Sequence, residues 1–357
     1  MLKEEIKRRN IPALLSDDFT VDKWDGVRRK IIDIFSENVY GRSLNAPQKV
    51  YGEVQKEDKN AFAGKATHRN ILLSFDTPKG EFSFPFDIVA PNVDRQVPIF
   101  IFLSFHTYKE SYETPIEEIL DARYAIAIVH YESISADNAD MQSKLAGMFP
   151  RPEAGDTWGK YGIWAYALSR VMDYVQTLSY IDKDKIACVG HSRLGKTALW
   201  CCVQDTRFCA VFANNSGCSG AAITRKKRGE TVKDICTKYP YWFCENYKQY
   251  MNNEDKMPFD QHQLVAAMAP RSFYTCSASK DTWADPDSEY LSCLLASEIY
   301  ERMSMKGFAG EDRHPAVGDV FNKGSIGYHL RYGEHFLSRY DWNKFIEFMN
   351  LHFVGKG

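Results

Sequence analysis

The sequence predicts an α/β fold, a three-layer sandwich with helices on both faces of a doubly wound, mostly parallel sheet. Residues 97–105 and 124–130 are continuous apolar runs, which are typical of strands buried in a parallel sheet. After Gly159, apolar residues recur at helical spacing as far as Leu178. This helix leads directly into another apolar run at residues 186–189. Strands that alternate with helices in this way favour a single sheet with crossover connections.

The N-terminal part of the chain predicts an antiparallel start to the sheet. Residues 1–20 are expected to form a loosely structured lead-in, and the apolar stripe of residues 22–37 predicts a helix. Three strands are predicted beyond it, at residues 50–54, 71–75 and 82–88. The turn at 77–80 lies between the last two strands and contains Pro and Gly, so it predicts a hairpin.

The remaining elements continue the alternation to the end of the chain. Strands are predicted at 208–213, 271–278 and 328–332, and helices at 288–303 and 341–353. The polar connection 133–158 is too long for a tight turn, so we expect it over the face that carries the site. Residues 221–262 form an insertion rich in charged and aromatic residues. Without repeats or an interdomain linker, residues 1–357 are expected to form one domain, with residues 1–45 as its lead-in and first helix.

Composition argues against several classes of function. The 357 residues carry a formal net charge of −2, so neither nucleic acid nor an anionic membrane is expected as a partner. No membrane span and no paired Cys-x-x-Cys metal spacing occurs. The nine cysteines are odd in number and several lie in apolar runs, which favours reduced, buried thiols. The N-terminus lacks an apolar signal-peptide core, so the chain is expected either to be intracellular or to begin after a removed signal.

The stretch around Ser192 predicts a nucleophile. The apolar run 186–189 is followed by a glycine-flanked turn with Ser192 at its tip, and then by helical spacing. Strand, sharp turn and helix together are typical of the nucleophile elbow of an α/β-hydrolase. Gly190 lets strand and helix approach closely. The second glycine, Gly195, falls three residues after the serine and not two. The alternative is a serine in an ordinary strand-to-helix turn.

A serine nucleophile needs a histidine base and an acid that orients it. In this fold the chain order is serine, acid, histidine, each in a loop after a strand. His335 follows the last strand, whereas His191 adjoins the serine and is expected to point elsewhere. Asp281 comes first in the loop after strand 271–278 and is the predicted acid. Asp285, which could instead be a helix cap, and Glu289 are the reserves.

Five separated motifs, in order along the chain, resemble the glucuronoyl esterases of carbohydrate esterase family 15, especially the bacterial members. They are Gly-His-Ser-Arg-Leu-Gly-Lys (190–196), Asn-Ser-Gly-Cys-Ser-Gly-Ala-Ala (215–222), Arg-Gly-Glu-Thr (228–231), Ser-Ala-Ser-Lys-Asp-Thr-Trp-Ala-Asp-Pro (277–286) and Gly-Tyr-His-Leu-Arg (327–331). The resemblance extends from about residue 98 to the C-terminus. It implies that Ser192 is the nucleophile, that His335 is the base, and that Arg193 assists the oxyanion hole.

The resemblance also implies sugar-binding residues. Lys196, Glu230 and Trp283 match positions that contact the uronic acid. Each has a structural alternative: Lys196, like Arg193, could be a solvated charge, Trp283 could be core, and Glu230 could pair with a nearby arginine, Arg225 or Arg228. A purely structural role is less expected for Arg193 and Lys196, because basic residues in the first turn of a helix oppose its dipole.

Two departures from the family pattern affect the site. Many members, above all the fungal ones, carry the acid as Glu in a Glu-Ser-Gly motif, where this chain has Asn215. Since an amide cannot act as the carboxylate, the resemblance implies the alternative acid of bacterial members, at Asp281. The fungal cysteine before the serine is His191 here, so the disulfide that it forms is absent.

The sequence therefore predicts a serine esterase that cleaves the ester between (4-O-methyl-)glucuronic acid of xylan and lignin alcohols. The expected partner is a glucuronoxylan or lignin–carbohydrate ester, with no metal or organic cofactor, and the expected state is a monomer. The family implies a secreted or periplasmic location. Two alternatives stay open: an acetyl-xylan or other carbohydrate esterase with the same triad, and a non-catalytic carbohydrate-binding protein on the same scaffold.

Overall fold

The computed structural model describes residues 2–110 and 114–354, and its ten strands form one sheet in the order β1-β2-β3-β5-β4-β6-β7-β8-β10-β9. The strands are β1 (Val50–Ala61), β2 (Ala66–Thr77), β3 (Gly80–Pro91), β4 (Val97–Ser104), β5 (Ala125–His130), β6 (Ile181–His191), β7 (Ala210–Asn214), β8 (Ser272–Ala278), β9 (Val320–Phe321) and β10 (Ile326–Arg331). Strands β5, β4, β6, β7, β8 and β10 are mutually parallel, whereas β1 to β3 and β9 are antiparallel to their neighbours.

The predicted hairpin is present between β2 and β3, where Thr77 pairs with Gly80. Strand β1 is longer than expected, at twelve residues instead of five. Its second half is polar and exposed, so it lacks the apolar pattern by which a strand is recognised in a sequence. Pairing with β2, not burial, therefore defines this part of the strand.

Helices lie on both faces of the sheet. They are α1 (Leu2–Arg9), α2 (Trp24–Phe35), α3 (Ile116–Asp121), α4 (Tyr131–Ile134), α5 (Lys144–Gly147), α6 (Lys160–Val175), α7 (Arg193–Gln204), α8 (Val232–Lys238), α9 (Gln261–Ala266), α10 (Pro286–Arg302) and α11 (Arg339–Met349). Short 3₁₀ segments occur at Val21–Lys23, Tyr108–Glu110, Glu245–Tyr250 and Glu254–Lys256, and π turns at Ser36–Tyr40 and Asn350–Val354. Among the described residues, none of the helices combines the length and apolarity needed to cross a membrane.

Two apolar clusters show the three-layer arrangement. Along β4, Ile99 and Ile101 belong to the larger cluster with α2, α6, α7 and α10, whereas Phe100 and Phe102 belong to the smaller one with α3 and α11. Both faces of this strand are therefore buried, as its continuous apolar sequence predicts. The predicted architecture, a doubly wound sheet with an antiparallel start, is confirmed.

The loosely structured lead-in is a wrong prediction for residues 2–9. Helix α1 occupies Leu2–Arg9, with Leu2 buried at its start. The Arg9 guanidinium donates to Ser288 Oγ at 2.7 Å and pairs with Glu5 at 2.7 Å. A helix of eight mainly polar residues is too short to be stable alone, so its docking against α10 stabilises it.

The elbow depends on the close approach of β6 and α7. A Cβ atom built on Gly190 would stand 2.1 Å from the carbonyl oxygen of Leu194 and 2.8 Å from the nitrogen of Gly195. Both contacts are to backbone, which cannot rotate away. Glycine at 190 is therefore required for the first turn of α7 to pack on the end of β6.

We expect Gly190→Ala to lower the free energy of unfolding by about 1–3 kcal/mol, because the added methyl group overpacks rigid backbone. Gly26→Ala is the matched control, since a Cβ there meets nothing within 4 Å and α2 should gain about 0.5–1 kcal/mol. Urea unfolding of both variants measures the difference. A Gly190→Ala protein as stable as the wild type would contradict the close-approach argument.

Candidate active site

Ser192 lies between the end of β6 and the start of α7 in a strained backbone conformation. Its φ of 56° and ψ of −127° fall in a region that non-glycine residues rarely adopt. The Ser192 N–H donates to the carbonyl oxygen of Asn214 at 2.8 Å, so the turn is tied to the end of β7. The serine is thereby held at the carboxyl edge of the parallel strands, where ligands bind in open α/β sheets.

The structure brings the three predicted triad residues into one hydrogen-bonded chain. His335 Nε2 lies 2.7 Å from Ser192 Oγ, and His335 Nδ1 lies 2.6 Å from Asp281 Oδ2. These residues follow β10, β6 and β8, which end at the same edge of the sheet. Burial alone would raise the pKa of Asp281. Hydrogen bonds from His335 and Asn215 lower it by more than burial raises it, so the net shift of the pKa is downward. The acid is therefore ionised at neutral pH.

The two reserve acids lie elsewhere and have their own partners. Asp285 stands at the start of α10 and accepts from the Arg228 N–H at 2.8 Å and from Ser288 Oγ at 2.6 Å. Glu289 is fully buried and accepts from Ser277 Oγ at 2.6 Å and from the Gly217 N–H at 2.9 Å. Burial raises the pKa of Glu289 to about 7. In the described structure neither carboxylate hydrogen-bonds to His335.

Arg193, the first residue of α7, does not behave as a solvated charge. Its guanidinium is paired with Asp137 and lies 5.1 Å from the ring centroids of both Phe105 and Trp242. Asp137 also accepts from Trp242 Nε1 at 2.6 Å. Carboxylate and rings together fix the guanidinium of Arg193, which lines the same cleft as Ser192. Asp137 comes from the long polar connection 133–158, which was expected over this face.

Lys196 and Glu230 face the same cleft without strong partners. Lys196 is 4% exposed, and within the described residues no hydrogen-bond acceptor contacts its ammonium group. Burial lowers the pKa of Lys196, while the charge of Glu230 partly offsets this. The expected alternative for Glu230 is wrong in the described structure, because Arg225 pairs with Asp260 and Arg228 with Asp287. Both charged groups are therefore available to a bound molecule.

Trp283 is on the surface and not in the core, with 55% of the residue exposed. Its carbonyl oxygen accepts from the Glu230 N–H at 3.0 Å, which ties the 279–285 loop to the insertion. Gly229 is required at this contact, because a Cβ there would stand 2.4 Å from the same oxygen. The backbone of Trp283 is thus fixed, while its indole ring is exposed to solvent.

Together these residues line a cleft of about 330 Å³. Its lining comprises Ser192, Arg193, Lys196, Asn215, Ser216, Gly217, Glu230, Lys238, Tyr239, Trp242, Asp281, Trp283, Ala284 and His335. Three larger cavities, two of about 540 and 550 Å³ next to residues 42–48 and one of about 490 Å³ next to α3, share no residue with it. The cleft therefore contains every predicted site residue except the reserve acids.

Sequence reasoning missed three features of this site. The first is Asp137, which lies in a connection without a periodic pattern. The second is the stack of Tyr239 on Trp242, with ring centroids 3.6 Å apart. Both rings belong to an aromatic run in the sequence that could have been recognised as part of the site. His191 does not point away from the site: its ring centroid lies 4.6 Å from that of His335. Burial and the charge of His335 lower the pKa of His191 to about 3, so this neighbour is neutral.

One cluster outside the cleft has the residue types of a metal site. Buried Cys276, His329 and Asp341 place one potential ligand atom each within 4.8 Å of the others. However, His329 already uses both ring nitrogens, with Tyr274 at 2.9 Å and Asp341 at 2.8 Å, and Arg331 contacts both oxygens of Asp341. Arg331 thus supplies the positive charge that balances Asp341, and hydrogen bonds within the protein already occupy the polar atoms of His329 and Asp341.

Comparisons with known proteins agree with the resemblance. A family model described as fungal glucuronyl esterase matches residues 75–304. A carbohydrate esterase from an unknown prokaryotic organism is 32% identical over 93% of this chain and 86% of its own length. A solved glucuronoyl esterase from Solibacter usitatus has a TM-score of 0.88 at 31% identity and covers 95% of this chain and 96% of its own.

A 4-O-methyl-glucuronoyl methylesterase from the fungus Wolfiporia cocos is 28% identical over 52% of this chain, and the chain spans about half of that relative's length, 48%. The fungal likeness is thus partial, whereas the prokaryotic one is nearly complete. Because the family model covers more than half of the chain, and the prokaryotic relative nearly all of it, the chain belongs to the glucuronoyl esterase family, carbohydrate esterase family 15, with the α/β-hydrolase fold.

Proposed function

We propose that this chain is a serine esterase that hydrolyses esters of glucuronic acid, with Ser192 as nucleophile, His335 as base and Asp281 as orienting acid. The observation that carries the proposal is the continuous hydrogen-bonded chain from Ser192 Oγ through His335 to Asp281. Family membership supports the ester bond and the uronic acid as the point of attack. The alcohol is proposed to be a lignin-type alcohol, and the acid the (4-O-methyl-)glucuronic acid of xylan.

The reaction then follows from the arrangement of the three residues. His335 Nε2 takes the Ser192 hydroxyl proton while Oγ attacks the C6 carbonyl carbon, and the carbonyl oxygen becomes an oxyanion. As this intermediate collapses, the carbon–alkoxy bond breaks and His335 gives its proton to the leaving alcohol. Water, deprotonated by His335, next attacks the acyl-enzyme. As the second intermediate collapses, the bond from carbon to Ser192 Oγ breaks, His335 returns its proton to Oγ, and glucuronic acid is released, so no cofactor is required.

The oxyanion is proposed to be stabilised at the start of α7. Helix N-termini present free N–H groups and a partial positive charge, and Arg193 follows Ser192 directly and lines the same cleft. Asp137 and the flanking rings hold that guanidinium before substrate arrives, so little reorganisation is needed during the reaction. Asp137 is thereby proposed to position Arg193.

The uronic acid is proposed to lie between Lys196, Glu230 and Trp283. Unpaired ammonium and carboxylate groups can exchange hydrogen bonds with sugar hydroxyls, and an exposed indole can cover an apolar sugar face. An acetyl esterase would use the same triad but would not need these three residues together. A non-catalytic binding protein would not need the series of hydrogen bonds that links Ser192, His335 and Asp281.

The protein is proposed to act as a monomer.

The first experiment compares benzyl glucuronate with acetylated xylan as substrates. We expect strong preference for the glucuronate ester, with Ser192→Ala and His335→Ala folded but inactive. Circular dichroism checks the folding, and released acid measures the rate. Preferential release of acetate would retain the triad but reject the uronate-binding roles. Folded variants with near-wild-type turnover would reject the serine mechanism itself.

A second prediction separates the acid from its reserve. Asp281→Asn should lower kcat by about 10³–10⁴-fold, because the amide disfavours the histidine tautomer that accepts the serine proton. Asp285→Asn is the matched variant four residues away; it should lower the melting temperature, since it weakens contacts at the start of α10, and change kcat little. The reverse ranking of the two kcat values would assign the acid to Asp285.

A third prediction concerns the uronate contacts. Lys196→Met and Trp283→Ala should each lower kcat/KM for benzyl glucuronate by about five- to thirtyfold, since each removes a contact worth about 1–2 kcal/mol. With a small acetyl ester, the same variants should stay within about threefold of wild type, because that substrate has no sugar to bind. Equal losses on both substrates would show a general structural defect and contradict the binding roles.

A further inference from the structure

The resemblance to the family places Asn215 at the position of the acid in a Glu-Ser-Gly motif. It follows β7 directly, and its N–H donates to the carbonyl oxygen of Cys276 at 2.8 Å. Only 1% of the residue is exposed, yet it contributes to the lining of the cleft. A polar amide buried at this place needs partners, because an unpaired one is costly in the interior.

The amide nitrogen finds its partner in the proposed acid. Asn215 Nδ2 donates to Asp281 Oδ2 at 2.8 Å, and the same oxygen faces His335 Nδ1 at 2.6 Å. The other oxygen, Asp281 Oδ1, accepts from the Ala284 N–H at 3.3 Å. Asn215 and His335 thus share one carboxylate oxygen. Asn215 Oδ1 has no hydrogen-bond partner within the described residues, so the contact with Asp281 sets the orientation of the amide.

We propose that Asn215 is a positioning residue: its amide holds Asp281 Oδ2 against His335 and keeps the Asp–His pair from retaining a proton. This inference rests on the proposed function and adds a role for the residue that replaces the motif's glutamate. A donor at this position stabilises the ionised form of Asp281. A second carboxylate there would do the opposite, since two neighbouring carboxylates tend to share a proton.

The other titratable groups around the pair are few and come from different elements. His191, at the end of β6, packs on His335 and is neutral. Glu289, on α10, interacts with Asp281 through its charge and is held by donors of its own. Neither donates a hydrogen bond to Asp281 in the described structure. Asn215 is therefore the side chain whose removal changes the partners of Oδ2 without touching Ser192 or His335.

The test is the pH dependence of kcat/KM for benzyl glucuronate. The reaction needs unprotonated His335, so activity falls on the acid side as the pair takes up a proton. Loss of the Asn215 donor makes the pair bind that proton more tightly. Asn215→Ala should therefore move the acid limb to higher pH by about one unit. Asn215→Asp, which adds a carboxylate, should move it further.

Asn70→Ala is the matched control, because Asn70 Nδ2 makes the same type of bond, to Asp87 Oδ1 at 3.1 Å, on strands away from the cleft. The acid limb of its kcat/KM profile should coincide with that of the wild type. If Asn215→Ala does not unfold cooperatively, Asn215→Ser replaces it in the pH-profile measurement. An Asn215 profile that overlays the wild type, or that falls by the same factor at every pH, would overturn the inference. If wild type shows no hydrolysis beyond Ser192→Ala, the proposed function fails first and the inference falls with it.

Discussion

The close packing of β6 against α7 at Gly190 is the constraint on which the site depends. It allows the chain to turn from strand to helix within one residue, and it forces Ser192 into a positive-φ conformation. The turn places the serine hydroxyl at the edge of the sheet and, at the same time, the start of α7 beside it. Nucleophile and positive helix end are thus fixed by one piece of backbone geometry. The cost of the strained residue is offset by the buried sheet and helix on either side.

Around this turn, the partners of each carboxylate decide its role. Asp281, Asp285 and Glu289 lie within nine residues of one another in the sequence, and all three are buried. Asp281 faces His335, Asp285 receives a backbone N–H and a serine hydroxyl, and Glu289 receives donors from β8 and from the loop after β7. Burial raises the pKa of Glu289 to about 7, whereas His335 and Asn215 hold that of Asp281 low. Only Asp281 thus combines ionisation with contact to the histidine.

Much of the fold could be predicted from the sequence, because buried parallel strands leave continuous apolar runs. The order of elbow, acid loop and histidine loop also follows from the sequence, since each comes directly after a strand. Their catalytic roles stay predictions, although the structure brings the residues together. Helix α1 could not be predicted, because its few apolar residues are significant only once it docks on α10. Asp137 and the Asn215 amide were equally hidden, since loop contacts across the sheet edge have no periodic signature.

Labelling with a fluorophosphonate tests the central claim, that the elbow and the Asp–His pair activate Ser192. Ser192 Oγ would attack phosphorus, fluoride would leave, and His335 would take the hydroxyl proton. Peptide mapping by mass spectrometry should find the label on Ser192, no label at that site in Ser192→Ala, and much slower labelling in His335→Ala. A label on another serine, or equal rates of Ser192 labelling with and without His335, would contradict the account.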